Sequence, residues 1–295
     1  MAATHSNNSI LRESIRLVGS GAAGQVVALL LLAVIGRQYD QETMGVLGSF
    51  LSWGGLLAIT SGARYEQGIV VASAEDEAHT LYHLALRISL IFTLTLLPIA
   101  LAVGYVNPSL TPLGSSIYAL PFFVLLSTWY NASALWELRH KRYKILAKMQ
   151  FIKGVGNNLL KAVFGFIAAT IGSLISAQIL SLIATFPLFF KSLKKGSKAP
   201  TTTSLGSVAK KYRGFPRYGI VQALIDNLLG SLLVLMLPLR YGLAEVGYLT
   251  MAIMLARRPL QLVAENLSNV YFQRLSECVS QRLPIRQLAY KLLRN

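Results

Sequence analysis

Acidic residues and cysteine are what this 295-residue chain lacks: it has twelve Asp and Glu against twenty-eight Lys and Arg, and one Cys. Charged residues of both signs make up only 14%, where an average soluble domain carries roughly 25%. The lone cysteine, Cys278, excludes an internal disulfide and cannot by itself form a thiolate metal site. The four histidines, His5, His79, His83 and His140, show no metal-ligand spacing. His79 and His83 are four apart, but no Glu follows the first, so the HExxH pattern is absent. They read as interfacial polar residues, and the sequence predicts no metal, no cofactor and no catalytic residue.

What is abundant is apolar sequence. Residues of that kind reach 54%, and mean hydropathy is +0.52. They fall into eight long segments, at about 17–36, 43–63, 81–104, 113–136, 149–171, 172–190, 217–239 and 243–264. Runs of about 20 residues match a hydrocarbon core roughly 30 Å thick. The first segment is too long for the apolar part of a signal peptide and has no clear cleavage site after it, so it reads as a retained helix. The expected fold is an all-α membrane protein with about eight transmembrane helices.

The net charge of +16 would suit a nucleic-acid binder, and its distribution argues otherwise. With the N-terminus placed in the cytoplasm, the inside connections hold sixteen Lys and Arg and the outside ones only Arg37 and Arg240. That asymmetry is the positive-inside pattern. It predicts a multi-pass protein of the cell (inner) membrane with a cytoplasmic N-terminus, with membrane lipids and not nucleic acid as its surroundings. The Lys-, Ser-, Thr- and Pro-rich stretch 191–216 reads as a flexible basic linker. The division expected is therefore 1–190, a six-helix lobe; 191–216, the cytoplasmic linker; and 217–295, the first two helices of a second lobe. The last apolar segment has only about 15 residues before Arg257, Arg258 and Pro259, so its helix is expected to run on through them with a distortion at the proline. Leu267, Val270, Tyr271, Leu275 and Cys278 recur at helical spacing and predict an amphipathic surface helix.

Several stretches then carry a resemblance. Near the start stands GSGAAGQVVALLLLAVIGRQYDQETMGVLGSF, with Arg37, Tyr39 and Gly45 at a first helix and turn. The second apolar segment ends in Arg64-Tyr65-Glu66, followed by GIVVASAEDEA; KKYRGFPRYG follows the linker, and PLQLVAENLSNVYFQRLSE comes after the last segment. In this order they resemble the lipid-linked oligosaccharide (O-antigen and polysaccharide) flippases of the multidrug/oligosaccharidyl-lipid/polysaccharide exporter superfamily. Where many relatives carry a polar or cationic residue five positions before the proline of helix eight, this chain has Met254. Relatives usually have twelve or more helices in two lobes, so this sequence is expected to be a truncated form.

The resemblance implies translocation of a polyprenyl pyrophosphate-linked oligosaccharide for O-antigen, capsule or exopolysaccharide synthesis, without enzymatic chemistry, and polysaccharide assembly proteins as candidate partners. A pyrophosphate in a low-dielectric passage needs cationic partners, and a charge deep in the bilayer is costly. Lys161, near the middle of the fifth segment, is therefore a candidate for substrate binding, or else half of a structural pair. Arg87 either binds substrate or snorkels to the interface. Arg257 and Arg258 either contact lipid phosphate or substrate, or anchor the inner interface. Lys153 is shallower and is expected to snorkel. Asp226, beside Asn227 in the seventh segment, either binds a coupling proton or cation or pairs with a lysine. Alternatives are a drug or cation exporter of the same superfamily, which would favour an acidic cavity, and an inactive truncated remnant. A membrane-embedded glycosyltransferase or polymerase fits poorly, because the outer connections are very short.

Overall fold

The computed structural model describes residues 27, 29–106, 112–190 and 204–256. The described residues are helical, without a strand. Hydrocarbon explains this: a backbone with no water around it must satisfy its own N–H and C=O groups, and only helices or closed barrels do so.

The helices follow the apolar segments. They are α1 (Leu29–Gln38), α2 (Gln41–Ser61), the short α3 (Tyr65–Val71), α4 (Glu75–Val106) and α5 (Leu120–Arg139), the last entered through a 3-10 turn at Gly114–Ala119. Next come α6 (Tyr143–Phe151) and α7 (Asn157–Ile167), joined through a π-helical turn at Ile152–Gly156. They are followed by α8 (Ile171–Ile183), which continues as a span to Phe190. After the linker stand α9 (Leu205–Lys211), a π turn at Phe215–Gly219 leading into α10 (Ile220–Tyr241), and α11 (Leu243–Ala256). Three of these, Gln41–Ser61, Glu75–Val106 and Ile171–Phe190, are individually long and apolar enough to cross a bilayer; Phe215–Leu228 with Gly230–Tyr241 adds a fourth if its 50° bend is one broken span.

The helices run back and forth between two ends. One end, here the basic end, carries the connections 62–74 and 140–142 and residues 204–214. The other, here the far end, carries the tight turns at Tyr39-Asp40, 168–170 and Gly242. Helix starts at the far end are capped: Asp40 accepts the Thr43 N–H at 3.1 Å, and Thr170 accepts that of Ser173. Gly242, at φ +98°, turns the chain from α10 to α11 in a conformation that a side chain would disfavour.

Three apolar clusters hold the bundle. The central one joins Phe50, Leu120, Phe123, Val124, Met149 and Leu182, with Phe50 and Phe123 rings 5.2 Å apart. Tyr65, Ile69, Leu81, Tyr82, Trp136 and Phe189 pack at the basic end. Ile35, Tyr39, Met44, Leu47, Ala162 and Leu174 pack at the far end. The exterior is also apolar: Ile91 and Leu94 are 61% and 62% exposed, and Phe166 and Ile167 are 79%. Such a shell has no place in water and belongs against lipid.

Several boundaries differ from the sequence expectation, and α4, expected at 81–104, already begins at Glu75. The fifth segment was expected at 149–171, yet its helix begins at Tyr143 and ends at Ile167. The polar face of residues 143–148 masked its start, and the β-extended Ala168 sets its end. The linker, expected to be flexible throughout, is helical at 205–211, because Val208 is buried against the basic-end cluster. Residues 257–295, which hold the expected run through Arg257-Arg258-Pro259 and the amphipathic helix, lie outside the described residues.

Helices before the linker meet those after it where α2 crosses α11. A Cβ on Gly45 would run into the Leu243 carbonyl, and one on Gly247 into the Gln41 carbonyl; Gly48 faces Thr250 in the same way. Small residues let two backbones touch, which is how membrane helices associate without a hydrophobic driving force. Gly45→Val or Gly247→Val is expected to cost about 1–3 kcal/mol, read as a lowered unfolding midpoint in detergent. Gly55→Val, on the same helix with open space around it, is expected to leave the midpoint unchanged.

Candidate functional site

Polar groups inside the bundle gather in two places, one at each end. At the far end, α7 carries Asn157, Asn158 and Lys161 on one face, all buried. It packs against α8, which buries Gln178 and Ser181. Tyr39, from the α1–α2 turn, donates its hydroxyl to the Lys161 carbonyl at 2.8 Å. Gly165 makes room for this approach, since a Cβ there would strike Gln38 and Tyr39.

Lys161 was expected near the middle of its helix. It stands 18 residues after Tyr143 and six before Ile167, about 27 Å along the axis at 1.5 Å per residue, and so in the far half. At 3% exposure it lines no open surface in this conformation, and it is not a free cation. Arg87 is exposed on α4, on the side that also presents Leu90, Ile91 and Leu94. That apolar side is the lipid-facing one, which favours the snorkelling alternative. Asp226 and Asn227 are exposed on α10 beside Ile225 and Leu228. Among the described residues Asp226 makes no ion pair, so the pairing alternative is not realised there. Lys153 lies over the Tyr130 ring at 4.1 Å, a cation–π contact. Arg257 and Arg258 lie outside the described residues. The bundle thus does not bring Lys161 and Asp226 into one open site.

At the basic end an ion network ties four elements together. Arg139, at the close of α5, donates to the carbonyls of Ile69 and Ala72 at 2.9 and 2.8 Å, which are otherwise open at the end of α3. Its Nε reaches Glu75 of α4 at 3.2 Å, and His140 meets the other oxygen of Glu75 at 2.7 Å. His79 and His83 stand 3.3 Å apart beside Trp136. Among the described residues no group of three His, Cys, Asp or Glu is placed to hold a metal ion. Glu77 accepts from Lys211 and from the Tyr212 hydroxyl, and the Tyr65 hydroxyl reaches the Ala209 carbonyl at 3.2 Å. The linker helix α9 is thereby fastened to α3 and α4.

The acidic run Glu75, Asp76, Glu77 enters the sequence reading only as part of GIVVASAEDEA, without a role. The signal for its role was its place in the first turn of a helix, where carboxylates are favoured, opposite a basic linker. Burial is the largest influence on the Glu75 carboxyl and raises it, but the hydrogen bonds and charges of Arg139 and His140 together hold it below the ordinary value. The Lys211 hydrogen bond holds the Glu77 carboxyl down as well.

A cavity of about 220 Å³ opens between α4 and the start of α5, lined by Leu97, Ala100, Leu101, Tyr118, Pro121 and Phe122. It offers no cation for a phosphate.

Against this fold the profile of a family described as polysaccharide biosynthesis protein matches residues 66–295. The chain belongs to that family. The protein takes part in polysaccharide synthesis or export. No curated protein and no solved structure matches the chain.

Two outcomes follow for the basic end of this polysaccharide biosynthesis protein. Arg139→Leu would leave several carbonyls unpaired and is expected to destabilise by about 3 kcal/mol, seen as a lowered midpoint in detergent. Glu77 has a depressed carboxyl in the folded state, so its contribution is present above the unfolded carboxylate value and is lost as pH falls through the lower folded one. Protection of the 205–211 amides from hydrogen exchange, taken relative to the intrinsic rate at each pH, is therefore expected to be high at neutral pH and to fall below about pH 4. In Glu77→Gln that protection is expected to be low at every pH.

Proposed function

We propose that this protein translocates a lipid-linked oligosaccharide, joined to its lipid through pyrophosphate, across the cytoplasmic membrane for surface-polysaccharide synthesis, and that it is a transporter and not an enzyme. In this reading residues 1–190 form the first lobe, 191–216 the cytoplasmic connection and 217–295 part of a second lobe. The basic end faces the cytoplasm, as the loop charges require.

One observation carries the reading beyond family membership, namely the α2–α11 crossing at the far end. Around it, polar atoms are buried without hydrogen-bond partners: Oε1 of Gln41 and the hydroxyls of Ser49 and Thr250. Such groups are costly in a permanent contact, since each buried unsatisfied atom costs about 1–3 kcal/mol. A contact that opens to water keeps them, because they are hydrated in the open state. Glycine at 45, 48 and 247 suits the same purpose, a close seal with few side chains to disentangle. Lys161 lies just beneath the seal and would meet the pyrophosphate as it opens. Asp226, a carboxylate exposed halfway along a span, is tolerable only where water or a partner reaches it; the space between the lobes is such a place, and there it would bind the coupling ion.

Gly48 and Thr250 test the seal. A Cβ on Gly48 would stand 3.1 Å from the Thr250 Cβ, near the spacing of a disulfide. In a Cys278→Ala background, Gly48→Cys with Thr250→Cys is expected to cross-link under oxidation and stop polysaccharide export, with reductant restoring it. Full export by the cross-linked protein would contradict the proposal. Lys161→Met and Asp226→Asn are each expected to abolish export in a complementation assay while the protein remains at its normal level in the membrane. Wild-type export from both would remove these residues from the transport path.

A further inference from the structure

Glu66 is a buried carboxylate with few polar neighbours. It is 4% exposed in the first turn of α3, and its Oε2 has no hydrogen-bond partner. That oxygen is pressed against the end of α2, where a Cβ on Gly62 would meet it at 2.7 Å and the Thr128 methyl at 2.9 Å. The nearby hydroxyls are engaged elsewhere: Thr128 donates to the Val124 carbonyl at 3.0 Å and accepts from Ser61 at 3.0 Å. The charged groups of the surrounding elements are engaged too. On α4, Glu77 is bound by Lys211 and Tyr212; on α5, Arg139 serves the α3 carbonyls and Glu75, and Glu137 faces Arg142 at 3.9 Å. On the π turn, Arg217 lies over Tyr218. Among the described residues Arg64 is the charge that acts on Glu66, and its own Nε is buried without a partner.

The position is also a junction. Ala63 and Arg64 both adopt left-handed backbone, at φ 49° and 59°, a strained pair for residues with side chains. Gly219, just ahead of α10, packs on Arg64, with a Cβ there lying 3.7 Å from the Arg64 Cβ. Arg64 thus sits between Glu66 and the first turn of the later helices. Burial is the largest influence on the Glu66 carboxyl and raises it; its own backbone N–H and Arg64 oppose this, and the net direction is upward. A carboxyl so placed favours its neutral form.

We propose that Glu66 is a proton-binding site at this junction: it holds a proton in the conformation described and releases it when the α2–α3 turn and the start of α10 part. On release, the O–H bond of the carboxylic acid breaks and the proton passes to entering water. The carboxylate left behind is neutralised by Arg64, which turns to it as the strained turn relaxes. The proton site stands on its own, whereas coupling of its exchange to cargo movement rests on the transport reading above. It would act in addition to any ion bound at Asp226.

Infrared spectroscopy of the purified protein in lipid tests the site. Wild type is expected to show a protonated-carboxyl band at neutral pH that Glu66→Gln lacks. Arg64→Gln, which keeps Glu66 and removes the opposing charge, is expected to hold that band to higher pH. Identical neutral-pH spectra for wild type and Glu66→Gln, or an Arg64→Gln midpoint that does not rise, would overturn the proposal. In vesicles carrying a lipid-linked oligosaccharide, an imposed pH gradient is expected to change the wild-type translocation rate and leave that of Glu66→Gln unaffected. An equal response from both would overturn the coupling. Failure of wild type to translocate at all would instead sink the transport reading, while the infrared band would still decide the proton site.

Discussion

Hydrocarbon offers a polypeptide no hydrogen bonds, and the architecture follows from that. Each segment inside it must be helical, each polar side chain must find a partner or an end, and the exterior must be as greasy as the core. The exposed Ile91, Leu94, Phe166 and Ile167 and the buried Asn157, Lys161 and Gln178 are two sides of one rule: apolar groups face out, and polar groups are sheltered. The same rule gives the ends their chemistry. Where water returns, Arg139 closes the open carbonyls of α3, and the acids at the head of α4 gather Arg139, His140 and Lys211.

Without a hydrophobic force between helices, contact depends on shape. The central cluster is sealed by interlocking rings, Phe50 on Phe123, and has no reason to open. The α2–α11 crossing is built differently, with backbone against backbone at Gly45 and Gly247 and an unsatisfied amide and hydroxyls close by. Fastening of α9 to Glu77 at the other end means that residues 204–219 lie against α3 and α4 and do not hang free from them.

Most of the fold was legible because hydrocarbon writes long apolar runs, and the helices α2, α4, α5, α8 and α10 stand near the segments read from them. The start of α6 was missed because Tyr143, Lys144 and Lys148 lie at the water boundary, where no apolar run marks a helix. The helical part of the linker was missed because seven residues held by one buried Val208 leave almost no periodic trace. The candidate site was less legible. Depth along a segment placed Lys161 mid-membrane only while the helix start was set too late. Arg87 and Asp226 could be identified as costly charges, but the face each occupies is fixed by neighbouring helices and not by local sequence. Glu66 and Glu77 were visible only as parts of short motifs, with no role to assign; their weight comes from Thr128, Lys211 and Tyr212, brought near only by folding.

All of this rests on the bundle lying in lipid with its basic connections on one side. The most direct test is a reporter fused within the Lys-rich stretch 191–203 in cells. The account predicts activity from a reporter that works only in the cytoplasm and silence from one that works only outside. The opposite pattern would contradict it.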